Sequence, residues 1–197
     1  MTHEIPPHDF ILPLNPALAG REILEDWYRL HQRLCAQIGN RNRDGETRYI
    51  FADEPSHLRR GEAVRIRTVR PEVAAQLEGM GLPQIYPADM LNEDDMSFAL
   101  SVSVCQTKNS EKRRNEEVVS RVIQSTGLRN VRLDPRNIQK TSYRIRKKGQ
   151  DFLIPGAVVR FRARLSDPKR VIAAMRDGVG RHRAFGFGLL TPVMEDA

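Results

Sequence analysis

The chain has 197 residues, of which 40% are hydrophobic, enough to bury the core of one large domain or two compact ones. Its apolar runs fall short of the roughly 18 residues that span a bilayer, and its N-terminus lacks the order of a secretory signal, so we expect a cytoplasmic protein that does not bind membranes. The two cysteines, Cys35 and Cys105, can form neither a disulfide framework nor a cysteine-rich zinc site, and we expect no metal and no cofactor.

Positive charge is concentrated in one segment of the chain. In total, 32 basic and 25 acidic side chains give a net charge of +7. Residues 106–150 hold 13 basic and four acidic side chains, whereas residues 72–105 hold six acidic side chains and no basic one. A local excess of this size favours a surface that binds phosphates, although acidic proteins and membranes also attract basic segments. Nucleic acid is therefore the favoured partner.

Predicted elements of the first half alternate between strands and helices. In chain order they are a strand at 10–14, a helix from Ile23 to Ile38, strands at 48–52 and 63–69, and a short helix that begins at Pro71. The first helix has apolar residues at helical spacing and stops at Gly39. Residues 63–69 alternate apolar and basic side chains, as a half-buried strand does.

The second half begins after an acidic connector, which we predict to separate two domains. Its elements are a strand at 98–104, a helix around Val118 and Ile123, a basic hairpin at 143–154, a strand at 158–165, a helix capped by Asp167, and a last strand at 187–193. The predicted organisation is an N-terminal domain (1–80), the connector (81–96) and a C-terminal domain (97–197). Strand–helix–strand units with extra hairpins in both halves predict an α+β fold with helices on one face of each sheet.

A glycine-rich string, GVGRHRAFGFGLL, runs from Gly178 to Leu190. Arg183 stands where a dinucleotide fingerprint needs glycine, and no Gly-Lys-Ser/Thr occurs anywhere, so Rossmann and Walker sites are excluded. The glycines allow the backbone to approach a ligand closely, and Arg181, His182 and Arg183 can converge there on RNA phosphate. The alternative is a tight turn that serves packing alone.

Tyr28 and His31 lie three residues apart on the first predicted helix and project from neighbouring positions. His31 falls within the apolar arc of that helix, so it is either a hydrogen-bonded core residue or a partly desolvated general acid or base. Tyr28 is either its packing partner or a group that orients RNA.

Further candidate RNA contacts are basic side chains in two clusters. They are Lys108, Lys112, Arg113 and Arg114 after a strand, and Arg144, Arg146, Lys147 and Lys148 in the basic hairpin. Arginine forks match phosphate and base edges, whereas the alternative is a solvated charged helix face. Few aromatic residues interleave, so recognition of a duplex fits better than base stacking.

Taken together, these motifs resemble the CRISPR repeat-cleaving endoribonucleases of the repeat-associated mysterious protein superfamily, especially the CasE-type subunit of Cascade. The resemblance covers nearly the whole chain. Its most specific part is the string from Gly178 to Leu190, which follows a helix. The second part is WYRLHQRL, from Trp27 to Leu34, because such enzymes carry a catalytic histidine in the first helix and some have a tyrosine three residues earlier.

This resemblance implies two tandem ferredoxin-like (RRM-like) domains with a C-terminal glycine-rich loop. It implies metal-independent cleavage of a CRISPR repeat hairpin by the RNA's own 2′-hydroxyl, leaving a 2′,3′-cyclic phosphate, with His31 as general acid or base positioned by Tyr28. Lys108 and Arg183 are candidate cations for the charged transition state. We further expect that the product crRNA stays bound, with the protein as one subunit of a Cascade-like effector complex.

Two other functions remain open. An RNA-hairpin-binding assembly subunit without activity would only pack His31, and a general RRM-like RNA chaperone would show little preference for the repeat hairpin. The acidic connector and the string Lys108-Asn109-Ser110 look closer to other repeat-cleaving subfamilies, including those of type IV systems. The CRISPR subtype is therefore open as well.

Overall fold

A computed structural model describes residues 8–13, 26–43, 46–53, 63–84, 86, 95–104 and 115–193. The α-helices in these ranges are α1 (Trp27–Ile38), α2 (Pro71–Glu78), α3 (Asn115–Gln124) and α4 (Pro168–Asp177). The strands are β1 (His8–Pro13), β2 (Asn42–Arg43), β3 (Glu46–Thr47), β4 (Tyr49–Asp53), β5 (Ala63–Thr68), β6 (Leu82–Gln84), β7 (Met96–Ser103), β8 (Leu128–Arg132), β9 (Ile138–Lys147), β10 (Gln150–Leu165) and β11 (Leu190–Val193).

The first sheet has the strand order β4–β5–β1–β6, and its neighbouring strands are antiparallel. Its elements follow one another as β1, α1, β4, β5, α2 and β6, with the small β2–β3 pair inserted. This is the βαββαβ order of a ferredoxin-like fold. Trp27 and Leu34 of α1 pack against Phe51 and Ile66 of the sheet, so the helix covers one sheet face.

The second sheet repeats this arrangement, with the order β11–β7–β10–β8 and the chain order β7, α3, β8, β10, α4, β11. Val119 of α3 and Val171 of α4 join Phe98 and Phe161 of the sheet in a second core. β9 lies outside this path and pairs with β10. The prediction of an α+β fold with two tandem ferredoxin-like domains is confirmed.

The first helix begins later than the apolar pattern predicts. Ile23 lies outside the described residues, and α1 starts at Trp27 because Asp26 caps it, accepting a hydrogen bond from the backbone N–H of Tyr28 at 3.2 Å. The predicted end is confirmed, since Gly39 follows the helix with a φ of +83°.

The basic hairpin is much longer than predicted. The predicted strands at 152–154 and 158–165 are one continuous strand of 16 residues, β10, along which β9 pairs from Lys147↔Gln150 to Ile138↔Val159. Ile154 packs into the first core and Val159 into the second, from opposite faces of β10. The strand changes its buried face midway, so its sequence reads as two strands.

The prediction of a half-buried β5 is wrong, because all six of its residues are buried. Arg67 Nε donates to Asp9 Oδ1 at 2.5 Å, and Arg65 Nη1 donates to Asp9 Oδ2 at 3.2 Å. Arg67 Nη1 also donates to the carbonyl oxygens of Met175, at 3.1 Å, and Leu190, at 2.5 Å. Arg67 on the basic side of β5 therefore lies against the second domain and binds the backbone carbonyls of that domain.

No helix in the described parts of the chain is long and apolar enough to cross a membrane.

β6 joins the first sheet through its pairing with β1. Residues 87–94 of the predicted connector lie outside the described residues, and the domain boundaries at 80 and 97 remain a prediction.

Candidate active site

Helix α1 presents Tyr28 and His31 side by side. Their rings stack with centroids 5.6 Å apart and an interplanar angle of 26°. The His31 ring also stacks on Phe51 of β4, at 6.3 Å and 20°. Both residues are half-buried, so the imidazole is neither sealed in the core nor fully solvated. A spacing of three residues on a helix places the two rings together, as predicted.

The basic hairpin brings a cation to this pair. Lys147 Nζ lies 5.2 Å from the centroid of the Tyr28 ring, within the range at which an ammonium group is attracted to an aromatic face. Buried Asp26 fixes this approach, because its Oδ1 accepts a hydrogen bond from the backbone N–H of Arg146 at 3.0 Å and also caps α1. One carboxylate therefore joins the helix that carries Tyr28 to the strand that carries Lys147.

The glycine-rich turn reaches the same place from the C-terminal end of the chain. Phe185, in the 3₁₀ turn Arg183–Phe185, lies 6.1 Å from the Tyr28 ring, centroid to centroid. Gly186 follows with a φ of +81°, and a Cβ there would lie 2.9 Å from Trp27 Nε1. This glycine permits the turn to close on the start of α1. The glycine-rich string from Gly178 to Leu190 thus contacts the helix that carries His31.

Aromatic packing beneath the site joins the helix, the hairpin and the turn. Trp27 stacks on Tyr143 of β9 with centroids 4.5 Å apart, and Tyr143 contacts Phe187 at 4.8 Å. A Cβ at Gly156 of β10 would lie 2.2 Å from the Phe187 ring, so only glycine admits that ring. The three elements therefore meet in one aromatic cluster.

Arg41 adds positive charge near His31, and Arg183 lies near Arg41. Arg41, just after α1, is buried, and its Nε has no hydrogen-bond partner among the described residues. Burial, and then the charge of Arg183, lower the pKa of Arg41. Arg183 Nη1 donates to the carbonyl of Asp177, the last residue of α4, at 2.7 Å. The sequence indicates Arg183 but not Arg41, because a single arginine in a loop carries no periodic signal.

The pKa of His31 lies below its ordinary value of 6.5. Burial is the largest cause, and the positive charges of Arg41 and then Lys147 act in the same direction. The imidazole is therefore neutral at neutral pH and able to accept a proton.

The two ring nitrogens of His31 differ in their surroundings. Nε2 lies 3.7 Å from the Cys35 sulfur, one helical turn further along α1. Nδ1 is buried and has no hydrogen-bond partner in the described part of the chain. A buried polar atom without a partner is uncommon and calls for an explanation, such as a ligand that supplies one.

His182 and Arg181 stand beside rather than within this cluster. His182 Nδ1 lies 2.9 Å from Ser103 Oγ on β7, and its φ of +59° is unusual for a residue with a side chain. Burial, and then the charge of Arg181, lower the pKa of His182. Its ring contacts Phe185 at 6.4 Å, while Arg181 is exposed.

The remaining predicted hairpin cations take separate positions. Arg144 forms a two-point ion pair with Asp151, at 2.9 Å from Nε and 2.6 Å from Nη2, and Arg146 lies 3.5 Å from the same carboxylate. Lys148 is exposed in the hairpin turn with a φ of +51°. Arg144 and Arg146 are therefore partly neutralised.

The other predicted basic cluster follows β7 in the sequence. Its residues, Lys108, Lys112, Arg113 and Arg114, lie outside the described residues. Among the residues that the structure does describe, no group of three or more His, Cys, Asp or Glu side chains is placed to hold a metal ion.

Comparison with known proteins identifies one matching family. Residues 112–192 match the model of the CRISPR associated protein family, a segment that includes the basic hairpin and the glycine-rich turn. Comparison with curated proteins finds no match.

Several solved structures share the fold. Thermus thermophilus Cse3, bound to an RNA representing a pre-cleavage complex, has 23% identity and a TM-score of 0.72, covering 96% of this chain and 100% of that one. Cas6e from Escherichia coli K-12 has 13% identity and a TM-score of 0.59 over 94% and 98% of the two chains. A chain of a CRISPR RNA-guided surveillance complex has 16% identity and a TM-score of 0.57 over 95% and 100%. The protein is thus similar in fold to Cse3 and Cas6e along nearly its whole length, and its C-terminal part matches the CRISPR associated protein family.

Proposed function

We propose that the protein is an endoribonuclease that processes CRISPR precursor RNA at the repeat hairpin. One observation carries the proposal: Tyr28 of the first helix, beside His31, meets Lys147 of the basic hairpin and Phe185 of the glycine-rich turn. A neutral imidazole flanked by cations suits the removal of a proton next to a phosphodiester.

In the proposed reaction, the 2′-hydroxyl beside the scissile phosphate loses its proton to His31 and attacks the phosphorus. The bond from phosphorus to the 5′-oxygen breaks, solvent protonates the leaving oxygen, and a 2′,3′-cyclic phosphate remains. General base catalysis contributes about 10²–10⁴-fold, so charge stabilisation must contribute as well. Lys147 and Arg183 supply positive charge, and Tyr28 orients the RNA. No step in this scheme uses a metal ion.

The solved structures that share the fold support RNA as the substrate. One is Cse3 bound to an RNA representing a pre-cleavage complex, and another is a chain of a CRISPR RNA-guided surveillance complex. We extend both properties to this chain, so that it retains the crRNA product and joins other subunits of an effector complex. The basic excess of residues 106–150 supplies charge for the backbone of an RNA duplex.

The decisive experiment incubates the protein with repeat RNA from its own locus, with and without a chelator. We expect one cut at the hairpin in both conditions, a product that mass spectrometry identifies as a 2′,3′-cyclic phosphate, and no cut when the scissile nucleotide is 2′-deoxy. Cleavage that is lost in EDTA, or that proceeds on the deoxy substrate, would overturn the mechanism.

An inactive RNA-hairpin-binding assembly subunit is the second candidate. It is favoured by the environment of His31, whose Nε2 contacts Cys35 and whose Nδ1 is buried. His31→Ala separates the two functions: the enzyme would bind the hairpin tightly without cutting it, whereas the inactive subunit would not cut even as wild type. His8→Ala is the matched control, because His8 is an exposed histidine on β1.

A further inference from the structure

Three side chains form a hydrogen-bonded chain that ends at His31. Tyr49 of β4 donates from its hydroxyl to the carbonyl oxygen of Gly39 at 3.2 Å. The Tyr49 hydroxyl oxygen lies 3.6 Å from the Cys35 sulfur, and that sulfur lies 3.7 Å from His31 Nε2. Both sulfur distances suit the longer hydrogen bonds of sulfur, a weak donor and weak acceptor.

The direction of each bond in this chain follows from the number of protons available. Burial strongly raises the pKa of Tyr49, so its hydroxyl keeps its single proton. That proton goes to the carbonyl oxygen of Gly39, which has none to give. The Tyr49 oxygen can then only accept from the Cys35 thiol, and the sulfur can only accept from His31 Nε2. This series of hydrogen bonds therefore requires a proton on His31 Nε2.

We infer that Cys35 is a positioning residue that holds His31 in the tautomer protonated at Nε2. Nδ1 is then the basic nitrogen, and it takes the proton from the RNA 2′-hydroxyl once bound RNA has moved the groups that bury it in the free protein. This inference rests on the proposed function of His31 as the base.

All the elements packed against the imidazole are consistent with this assignment. Tyr28 stacks on it from α1, Phe51 stacks on it from β4, and the charges of Arg41 and Lys147 act on it from the loop and the hairpin. Neither cation can accept a proton from a ring nitrogen. Within the described part of the chain, Cys35 is therefore the hydrogen-bond partner that sets the tautomer.

The test is ¹⁵N NMR of the imidazole rings of the whole protein at a pH above the titration of His31, with His31→Gln to assign the signal. In wild type we expect the proton on Nε2 alone. In Cys35→Ala and in Tyr49→Phe we expect a mixture of tautomers, and in Cys35→Ser, whose hydroxyl can replace both bonds of the thiol, we expect the wild-type signal. Cys105→Ala is the control for loss of a thiol and should leave the signal unchanged.

Cleavage of the repeat hairpin under single-turnover conditions gives the functional readout. Cys35→Ala should slow the chemical step about threefold to tenfold, the factor that one net hydrogen bond is worth, without changing hairpin affinity. Cys35→Ser should restore the rate.

The failures of the two proposals are distinguishable. A wild-type proton on Nδ1, or an unchanged tautomer in Cys35→Ala, would overturn the role of Cys35. Cleavage at the wild-type rate by His31→Ala would instead overturn the proposed function, and with it the catalytic importance of the tautomer.

Discussion

The rings of Tyr28 and Phe185 lie 6.1 Å apart, although they come from opposite ends of the chain. Tyr28 stands in the first helix, beside His31, and Phe185 stands in the glycine-rich turn before the last strand. This contact makes one site from two motifs, because the helix provides the imidazole and the turn closes against it.

Tyr28→Phe will separate the contribution of the ring from that of the hydroxyl. The variant keeps the stack on His31, the contact with Phe185 and the face beneath Lys147. If the phenol orients the RNA, single-turnover cleavage will slow about 10- to 100-fold, the scale of one hydrogen bond to a charged group, while thermal stability stays unchanged. An unchanged cleavage rate would mean that Tyr28 contributes only through packing. Tyr28→Ala, which removes the ring, should in that case lower the thermal stability.

Lys147→Gln will change both the rate and its pH dependence. A base must be neutral to act, so cleavage should rise with pH until the pKa of His31 is passed and then level off. Lys147 is one of the charges that lower this pKa, after burial and Arg41. Removing it will raise the pKa of His31 and move the acidic limb of the profile to higher pH.

The plateau rate of Lys147→Gln should also fall, by about 100-fold if the ammonium group stabilises the transition state. Lys148→Gln is the matched control, because Lys148 is the next residue and is equally exposed but is not among the charges that lower the pKa of His31. The prediction is contradicted if both variants shift the pH profile equally.

Gly186→Ala should damage the closure of the glycine-rich turn. Its φ of +81° disfavours a side chain, and the added Cβ would meet Trp27 Nε1 at 2.9 Å. We expect a loss of about 1–2 kcal/mol in the free energy of unfolding and slower cleavage, because Trp27 begins the helix that carries His31. Gly79→Ala is the control: Gly79 has a φ of −84° and no atom within 4 Å of an added Cβ, so it should be neutral or gain up to about 1 kcal/mol. Urea denaturation measures both.

Asp9→Asn should be the most destabilising of these changes. The carboxylate pairs with Arg65 and with fully buried Arg67, and removing one partner of a buried pair costs about 3–5 kcal/mol. Asp177→Asn removes a solvent-exposed pair with Arg176 and should cost less than about 1 kcal/mol. Equal losses in urea denaturation would contradict this account of β5.

The Asp9 carboxylate makes the free energy of unfolding depend on pH in the acidic range. Burial alone would raise the pKa of Asp9, but the charge and hydrogen bond of Arg67 outweigh it, so the folded pKa lies below the ordinary value of 3.8. The stabilisation that the Asp9–Arg67 pair provides is complete above the pKa that Asp9 has in the unfolded chain. It is lost as the pH falls through the lower pKa that Asp9 has in the folded protein. Asp9→Asn should flatten the dependence of unfolding free energy on pH in this acidic range, and an unchanged slope would argue against the pair.

Helices α2 and α4 could be predicted from the sequence because their signals are local. Pro71 begins α2 as expected, and Asp167 caps α4, accepting a hydrogen bond from the backbone N–H of Arg170 at 3.1 Å. The pairing of Tyr28 with His31 is local too, since a spacing of three residues on a helix brings two rings together.

Contacts between distant segments could not be predicted in this way. The alternating arginines of β5 indicate an exposed face, yet Asp9 and the backbone of the second domain bury them. β8 has no clear sequence signal, because Leu128 is its one buried residue and the rest of the strand is polar or half-exposed. Arg41 enters the candidate site through tertiary packing alone.

The sequence by itself determined two α+β units, the helical pair Tyr28 and His31, the basic character of residues 106–150 and the glycine-rich turn. All of these follow from periodicity, composition and spacing within a short stretch of chain. Only the tertiary structure decided that Lys147, Arg41 and Phe185 surround the pair, and that the Tyr49 hydroxyl meets the Cys35 sulfur beside His31. The physical reason is that hydrogen bonds and charge interactions act over a few ångströms of space, and distances between segments depend on how the two sheets pack.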